Sequence, residues 1–140
     1  MGISRSQCGF TLVELITVVL LLAIISAVAA FRIDTSSAQV ITTRDNIVAG
    51  LFYAQQVAIA RGNSSTIRFV ANGTSVTVEE NGTTLDSANY PLTLPSGISL
   101  TPNATLVFDK LGRTTATSFT LSDGSGTSAT ITVEATGYAH

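Results

Sequence analysis

One uninterrupted apolar segment, residues 10–31, limits what the amino-terminal part of this chain can fold into. Its only charged side chain is Glu14. An α-helix rises about 1.5 Å per residue, so a helix of this length can cross a hydrocarbon core about 30 Å thick. A charge inside such a helix costs roughly 2.5–3.5 kcal/mol on insertion scales. Glu14 therefore needs a partner, and it is the first functional candidate.

The residues before this segment predict a processing site. Residues 1–9 form a short polar leader whose positive charges are Arg5 and the free amine, and Gly9 is small. In an ordinary secretory signal, the small-residue cleavage site follows the apolar core, which is then removed with the leader. Here the small residue precedes the core. Cleavage between Gly9 and Phe10 would leave the apolar helix at the new amino terminus.

Residues 9–14, with the sequence GFTLVE, resemble the junction of the type IV pilin and pseudopilin superfamily. The resemblance implies cleavage between Gly9 and Phe10 by a prepilin peptidase, N-methylation of Phe10 and a role of Glu14 in assembly. The implied partners are the peptidase, the inner membrane and other pilin or pseudopilin subunits, which bind through the amino-terminal helix. The expected location is the bacterial inner membrane, spanned once, with the headpiece in the periplasm, and later a pilus or pseudopilus.

The position of Glu14 suggests how it acts in assembly. It lies four residues after the amine that cleavage would create at Phe10. Our hypothesis is that its carboxylate neutralises the Phe10 amine of an adjacent subunit among packed helices. At a separation of about 4 Å and an effective dielectric constant near 20, this attraction is about 4 kcal/mol before desolvation.

Apolar residues spaced three and four apart between Val40 and Ile59 predict that the helix continues as an amphipathic segment. Arg61-Gly62 supplies a stop signal, with a cation in the last turn and glycine just beyond it. The predicted fold class is therefore α+β, a long helix packed on a small antiparallel sheet. The predicted division is a leader (1–9), a transmembrane and assembly helix (10–31), its amphipathic continuation (32–61) and a β-rich headpiece (62–140).

Short β-branched runs separated by turn residues predict antiparallel strands in the headpiece. Asn72-Gly73 favours a type I′ hairpin turn, and Asn81-Gly82 predicts a second hairpin, so we expect a meander. The second half is expected to form another small sheet. The predicted strands are 66–70, 75–79, 83–85, 90–94, 98–100, 105–108, 118–121 and 129–134.

Residues 108–113, with the sequence FDKLGR, resemble the tail of the GspH/FimT-type branch of minor pilins and pseudopilins. This resemblance implies a minor subunit that joins or primes a type IV pilus, including the mannose-sensitive haemagglutinin type, or a type II secretion pseudopilus. The alternative is a FimT-like DNA-binding subunit in DNA uptake. Arg113 is the candidate for a partner or DNA contact. No Lys or Arg follows it, so DNA binding is expected to be weak.

No catalytic constellation occurs in the sequence, so an enzyme is not expected. The single cysteine, Cys8, lies in the predicted leader, and the single histidine is the last residue, His140. An isolated imidazole lacks the clustered donors that a metal site requires, and no cofactor or metal is predicted. His140 is expected to be a frayed terminus.

Overall fold

The computed structural model describes residues 11–30 and 35–140. The chain divides into two compact units, Met1–Asp34 and Thr35–His140. In the first unit, helix α1 spans Leu12–Ala30. Among the helices that the described residues form, none has the combined length and hydropathy of a membrane-spanning segment. The predicted transmembrane segment, 10–31, and its junction with the next helix include residues outside the described ranges, so they stay predictions.

The second unit begins with helix α2, Thr35–Arg61. The helix ends where the sequence predicts, because Gly62 has a positive φ of 60° and its N–H donates to the carbonyl of Ala58 at 3.0 Å. Glycine adopts this left-handed conformation without the steric penalty that a Cβ brings. The Arg61 guanidinium pairs with Glu80 at 3.2 Å, which joins the end of the helix to the sheet.

Antiparallel strands follow α2 and form two sheets, so the α+β fold is confirmed. The strands are β1 Ile67–Asn72, β2 Ser75–Glu80, β3 Thr83–Thr84, β4 Leu92–Thr93, β5 Ser99–Thr101, β6 Ala104–Phe108, β7 Thr117–Ser122 and β8 Ser128–Val133. The first sheet has the order β3-β2-β1-β6, with β4 also paired to β2, and the second has the order β5-β7-β8.

The two predicted hairpins are both present, but their turns differ. Asn81 and Gly82 have φ values of 53° and 86° and form the two-residue loop between β2 and β3, as a type I′ turn requires. In the β1–β2 hairpin, Asn72 pairs with Ser75, so the loop residues are Gly73 and Thr74. Only Gly73 of these two has a positive φ, so the type I′ prediction for this turn is wrong.

Contacts from outside the β1–β2 hairpin explain its turn. The N–H of Gly73 donates to Asn103 Oδ1 at 2.7 Å, and its carbonyl accepts from the N–H of Leu100 at 2.8 Å. These bonds hold Gly73 against β5 and the short segment that connects β5 and β6. Tertiary hydrogen bonds thus decide which residues form the loop.

The predicted second sheet exists, although two strands from the later part of the headpiece are not in it. Strand β4 pairs with β2, and β6 pairs with β1 at the far side of the first sheet. The first sheet, which the sequence predicts to be a simple meander, therefore also contains strands that are distant in sequence. Both sheets and α2 share one core, in which Phe69 of β1 and Phe119 of β7 have ring centroids 6.4 Å apart.

The prediction of a frayed carboxy-terminal residue is wrong. The N–H of His140 donates to the carbonyl of Thr132 at 3.0 Å, and its carbonyl accepts from the N–H of Thr132 at 2.9 Å. Its ring also stacks on Tyr138, with centroids 5.4 Å apart. The last residues of the chain thus pair with β8.

Candidate functional site

The first candidate site is the start of α1, where Thr11 and Glu14 form a helix cap. The N–H of Glu14 donates to Thr11 Oγ1 at 3.2 Å and to the Thr11 carbonyl at 3.0 Å. A threonine at this position satisfies a backbone donor that the helix leaves free, and an acidic residue in the first turn complements the helix dipole. The sequence Thr-x-x-Glu thus fixes Glu14 in the first turn.

Glu14 lies on a helix whose apolar side chains are exposed. The large apolar residues of α1 between Leu12 and Ile25 are 45–74% exposed. Within residues 11–30 and 35–140, no Lys, Arg or His lies within ion-pair distance of the Glu14 carboxylate. The helix therefore presents one carboxylate in an apolar surface. Gly9 and Phe10 lie outside the described residues, so the cleavage junction and the amine partner of Glu14 stay predictions.

The second candidate site is the turn after β6, which contains Arg113. One carboxylate organises this turn: Asp109 Oδ1 accepts from the N–H groups of Leu111 and Arg113 at 2.9 and 2.8 Å. Its Oδ2 accepts from Arg113 Nε at 2.8 Å. The backbone closes the same turn, since the N–H of Asp109 donates to the carbonyl of Arg113 at 2.9 Å.

These donors favour the ionised form of Asp109. The backbone N–H of Arg113 is the largest cause that lowers the pKa of the Asp109 carboxyl below its usual value of 3.8. The Arg113 side chain and the backbone of Leu111 act in the same direction. Asp109 therefore carries its charge at neutral pH and holds Arg113 beside it.

Gln55 of α2 ties this turn to the carboxy-terminal turn. Its Nε2 donates to the carbonyls of Gly112 and Thr136, both at 3.1 Å. Space here is so limited that a Cβ at Gly112 would come within 2.8 Å of Gln55 Cγ. A Cβ at Gly137 would overlap the Gly112 carbonyl oxygen. The FDKLGR motif is therefore one side of a three-part junction with α2 and residues 134–137.

The structure thus gives Arg113 a surface ion pair with Asp109, which is common for an arginine in an exposed turn. Sequence reasoning missed Gln55 and Gly137, the two residues that complete the junction. A glutamine in an amphipathic helix carries no signal of its own. Gly137 likewise carries no local signal of its contact with Gly112, which depends on the tertiary structure.

An apolar helix with one acidic residue in its first turn, together with a headpiece of one helix and antiparallel sheets, defines the pilin-like class of assembly subunits. Comparison with protein families agrees: residues 4–30 match the prokaryotic N-terminal methylation motif, and residues 43–137 match the type II transport protein GspH. The second match covers more than half of the chain, and the chain belongs to the GspH family. Comparison with curated proteins and with solved structures gives no match.

Proposed function

We propose that this GspH-type subunit joins or primes a filament, either a type II secretion pseudopilus or a type IV pilus, after cleavage between Gly9 and Phe10 and N-methylation of Phe10. Before assembly, residues 10–31 anchor it in the inner membrane with a single span, and the headpiece lies in the periplasm. Its role is structural rather than catalytic. The match of residues 4–30 to the methylation motif supports the processing step.

The observation that carries this proposal is the single carboxylate on the exposed apolar surface of α1. Apolar side chains on such a helix are buried when subunits pack their helices together, whether in lipid or in a filament. A carboxylate in that dry setting requires a cation. The Phe10 amine of a neighbouring subunit is a suitable cation because processing creates it at the start of the same segment. Glu14 would then set the register between neighbouring helices.

The test compares Glu14→Ala and Glu14→Gln with Val13→Ala, which shortens the adjacent exposed apolar residue and leaves the charge. We expect both Glu14 variants to be cleaved and methylated but absent from sheared filaments, because an unpaired amine remains among the packed helices. The Val13 variant should enter filaments. Mass spectrometry of the amino-terminal peptide measures processing, and immunoblotting of the filament fraction measures incorporation. Incorporation of Glu14→Ala at the wild-type level would contradict the proposal.

The FimT-like alternative, DNA binding, has less support. Three arginines of the second unit have acidic partners: Arg44 with Asp45, Arg61 with Glu80 and Arg113 with Asp109. Paired cations displace fewer counterions from DNA, which weakens the electrostatic part of binding. A DNA-binding assay on residues 35–140 over a series of salt concentrations distinguishes the two functions. Tight binding that weakens steeply with salt would favour the DNA-uptake role.

A further inference from the structure

Strand β6 lies at one side of the first sheet, and its hydrogen-bonding direction can be read from the register. The carbonyl of Val78 accepts from the N–H of Leu85 at 2.8 Å, so the backbone polar groups of Val78 point away from β1. Phe69 lies opposite Val78 in the antiparallel β1–β2 pair. Opposite residues either exchange both hydrogen bonds or none, so the polar groups of Phe69 point away from β2 and towards β6.

The same alternation continues into β6. Leu106 lies opposite Phe69, so its N–H and C=O groups point towards β1. Its neighbours Thr105 and Val107 therefore direct their N–H and C=O groups outward. Within residues 11–30 and 35–140, neither outward group of these two residues has a hydrogen-bond partner. We call the outward side of Thr105 and Val107 the β6 edge.

The β6 edge lacks the features that usually prevent a sheet from pairing with another strand. Residues 104–108 contain no proline, glycine or charge, and Val107 is 49% exposed. By contrast, β3 and β4 have two residues each and β5 has three. The β6 edge is also held at its end by the Asp109 turn, so it is already in an extended conformation that a second strand can join.

A shallow recess of about 430 Å³, widely open to solvent, borders the end of this edge. It is lined by Val107, Asp109, Arg113, Thr114, Thr115 and Ala135. Thr114 Oγ1 is buried and, in the part of the chain that the structure describes, has no hydrogen-bond partner. The recess thus lies next to Arg113 and to the outward-facing Val107.

The charges at the recess indicate the chemistry of its occupant. The Asp109 carboxylate already accepts three hydrogen bonds, so its acceptor capacity is largely used. Arg113 uses Nε for Asp109, and its side chain is 63% exposed. Among the described residues, its terminal amino groups have no hydrogen-bond partner, so they can donate to one carboxylate, the acceptor that guanidinium groups bind best. One such contact needs a single arginine, whereas DNA binding needs several unpaired cations.

We propose that the β6 edge and the recess bind an extended segment of a neighbouring filament subunit, which adds a strand beside β6 and places an Asp or Glu against Arg113. Strand addition satisfies the outward backbone groups of Thr105 and Val107 through main-chain hydrogen bonds. This inference rests on the proposed function, because the neighbour is another pilin-type subunit of the same filament.

The first experiment compares Val107→Pro with Val107→Thr in the full chain, in cells that assemble the filament. Proline removes the outward N–H but no bond to β1, since Val107 does not bond to β1, and an edge strand tolerates it. Threonine keeps the N–H and the branched shape. We expect incorporation of Val107→Pro to fall about tenfold, which is the effect of roughly one lost hydrogen bond. Val107→Thr should be incorporated like the wild type.

The second experiment identifies the neighbour. A photo-crosslinking p-benzoylphenylalanine replaces Thr105, and a control chain carries it at Thr120, an exposed position on β7 of the second sheet. We expect an adduct from position 105 but not from 120. Mass spectrometry should place it on an acidic extended segment of another pilin-type subunit, and Val107→Pro should remove it.

The outcomes separate this inference from the proposed function. If wild-type chain is absent from filaments, the proposed function fails. If the chain enters filaments, the inference is overturned by any of three results: normal incorporation of Val107→Pro, no adduct at position 105, or an adduct only to a second copy of this chain. Circular dichroism of each purified variant shows whether the headpiece is folded, so that a loss caused by unfolding is recognised.

Discussion

At the scale of single residues, the junction of Gln55, Gly112 and Gly137 connects the helix to the end of the chain. Gln55 Nε2 bonds to carbonyls on two segments at once, and the glycines allow these segments to approach. Each residue type is ordinary in its local sequence, so the sequence does not reveal the contacts that hold this junction. Those contacts join residues far apart in the chain.

We predict that Gly137→Ala destabilises the headpiece through this junction. Gly137 has φ 84°, where a Cβ costs about 1–2 kcal/mol, and the Cβ would also overlap the Gly112 carbonyl. Relieving such an overlap costs roughly a further 1–3 kcal/mol. Chemical denaturation of residues 35–140, followed by circular dichroism, measures the change in free energy of unfolding.

The matched control for this variant is Gly124→Ala. Gly124 has φ 73°, but nothing lies within 4 Å of its Cβ position, so this substitution has the backbone cost without the overlap. The difference between the two variants in free energy of unfolding measures the cost of the overlap at Gly137. Equal destabilisation by both substitutions would show that the junction is not as tight as the structure indicates.

At the scale of elements, the two Asn-Gly pairs show how far local sequence determines a hairpin. Both pairs occur at hairpins, as the sequence predicts. Only Asn81-Gly82 occupies the two loop positions with positive φ, and Asn81 Oδ1 also accepts from the N–H of Thr66 at 2.9 Å. Asn72 instead ends β1 opposite Ser75, because hydrogen bonds from other segments hold Gly73.

This difference predicts unequal effects for two substitutions that look alike in the sequence. Asn81→Ala places alanine at φ 53° and removes the acceptor of the Thr66 N–H, so we expect a loss of about 1–3 kcal/mol. Asn72→Ala is expected to change the free energy of unfolding by less than about 0.5 kcal/mol, as is usual for exposed positions. Denaturant titration of both variants tests this, and a larger effect at Asn72 would count against the observed register.

The placement of β4 and β6 is the part of the element order that the sequence could not predict. Alternation of side chains identifies a strand, but it does not say which strand lies beside it. The pairing of β6 with β1 buries Leu106 and Phe108 in the core. Burial of these side chains, rather than proximity in sequence, places β6 at the side of the first sheet.

At the scale of the whole molecule, the described core belongs to the second unit alone. Its buried apolar residues begin at Val40 and end at Ala139, and they come from α2 and both sheets. The described large apolar residues of α1 are exposed instead. The second unit therefore has the apolar burial that an independent domain requires.

We accordingly expect residues 35–140 to fold without residues 1–34 and to unfold in one cooperative transition. Phe119→Ala should lower the free energy of unfolding of this fragment by about 3–5 kcal/mol, because Phe119 is fully buried between the sheets. Differential scanning calorimetry and guanidinium titration measure both effects. A fragment without a cooperative transition would show that the first unit is needed for folding.

The sequence by itself determined the class of this protein, the end of α2 at Arg61, the presence of both hairpins and the position of Glu14 in the first turn of an apolar helix. These features depend on hydropathy, turn residues and caps, which act over a few neighbouring residues. Only the tertiary structure decided the neighbours of β6, the junction around Gln55, the free groups of the β6 edge and the pairing of His140 with β8. Those depend on which surfaces bury each other, and burial is a property of the folded chain as a whole.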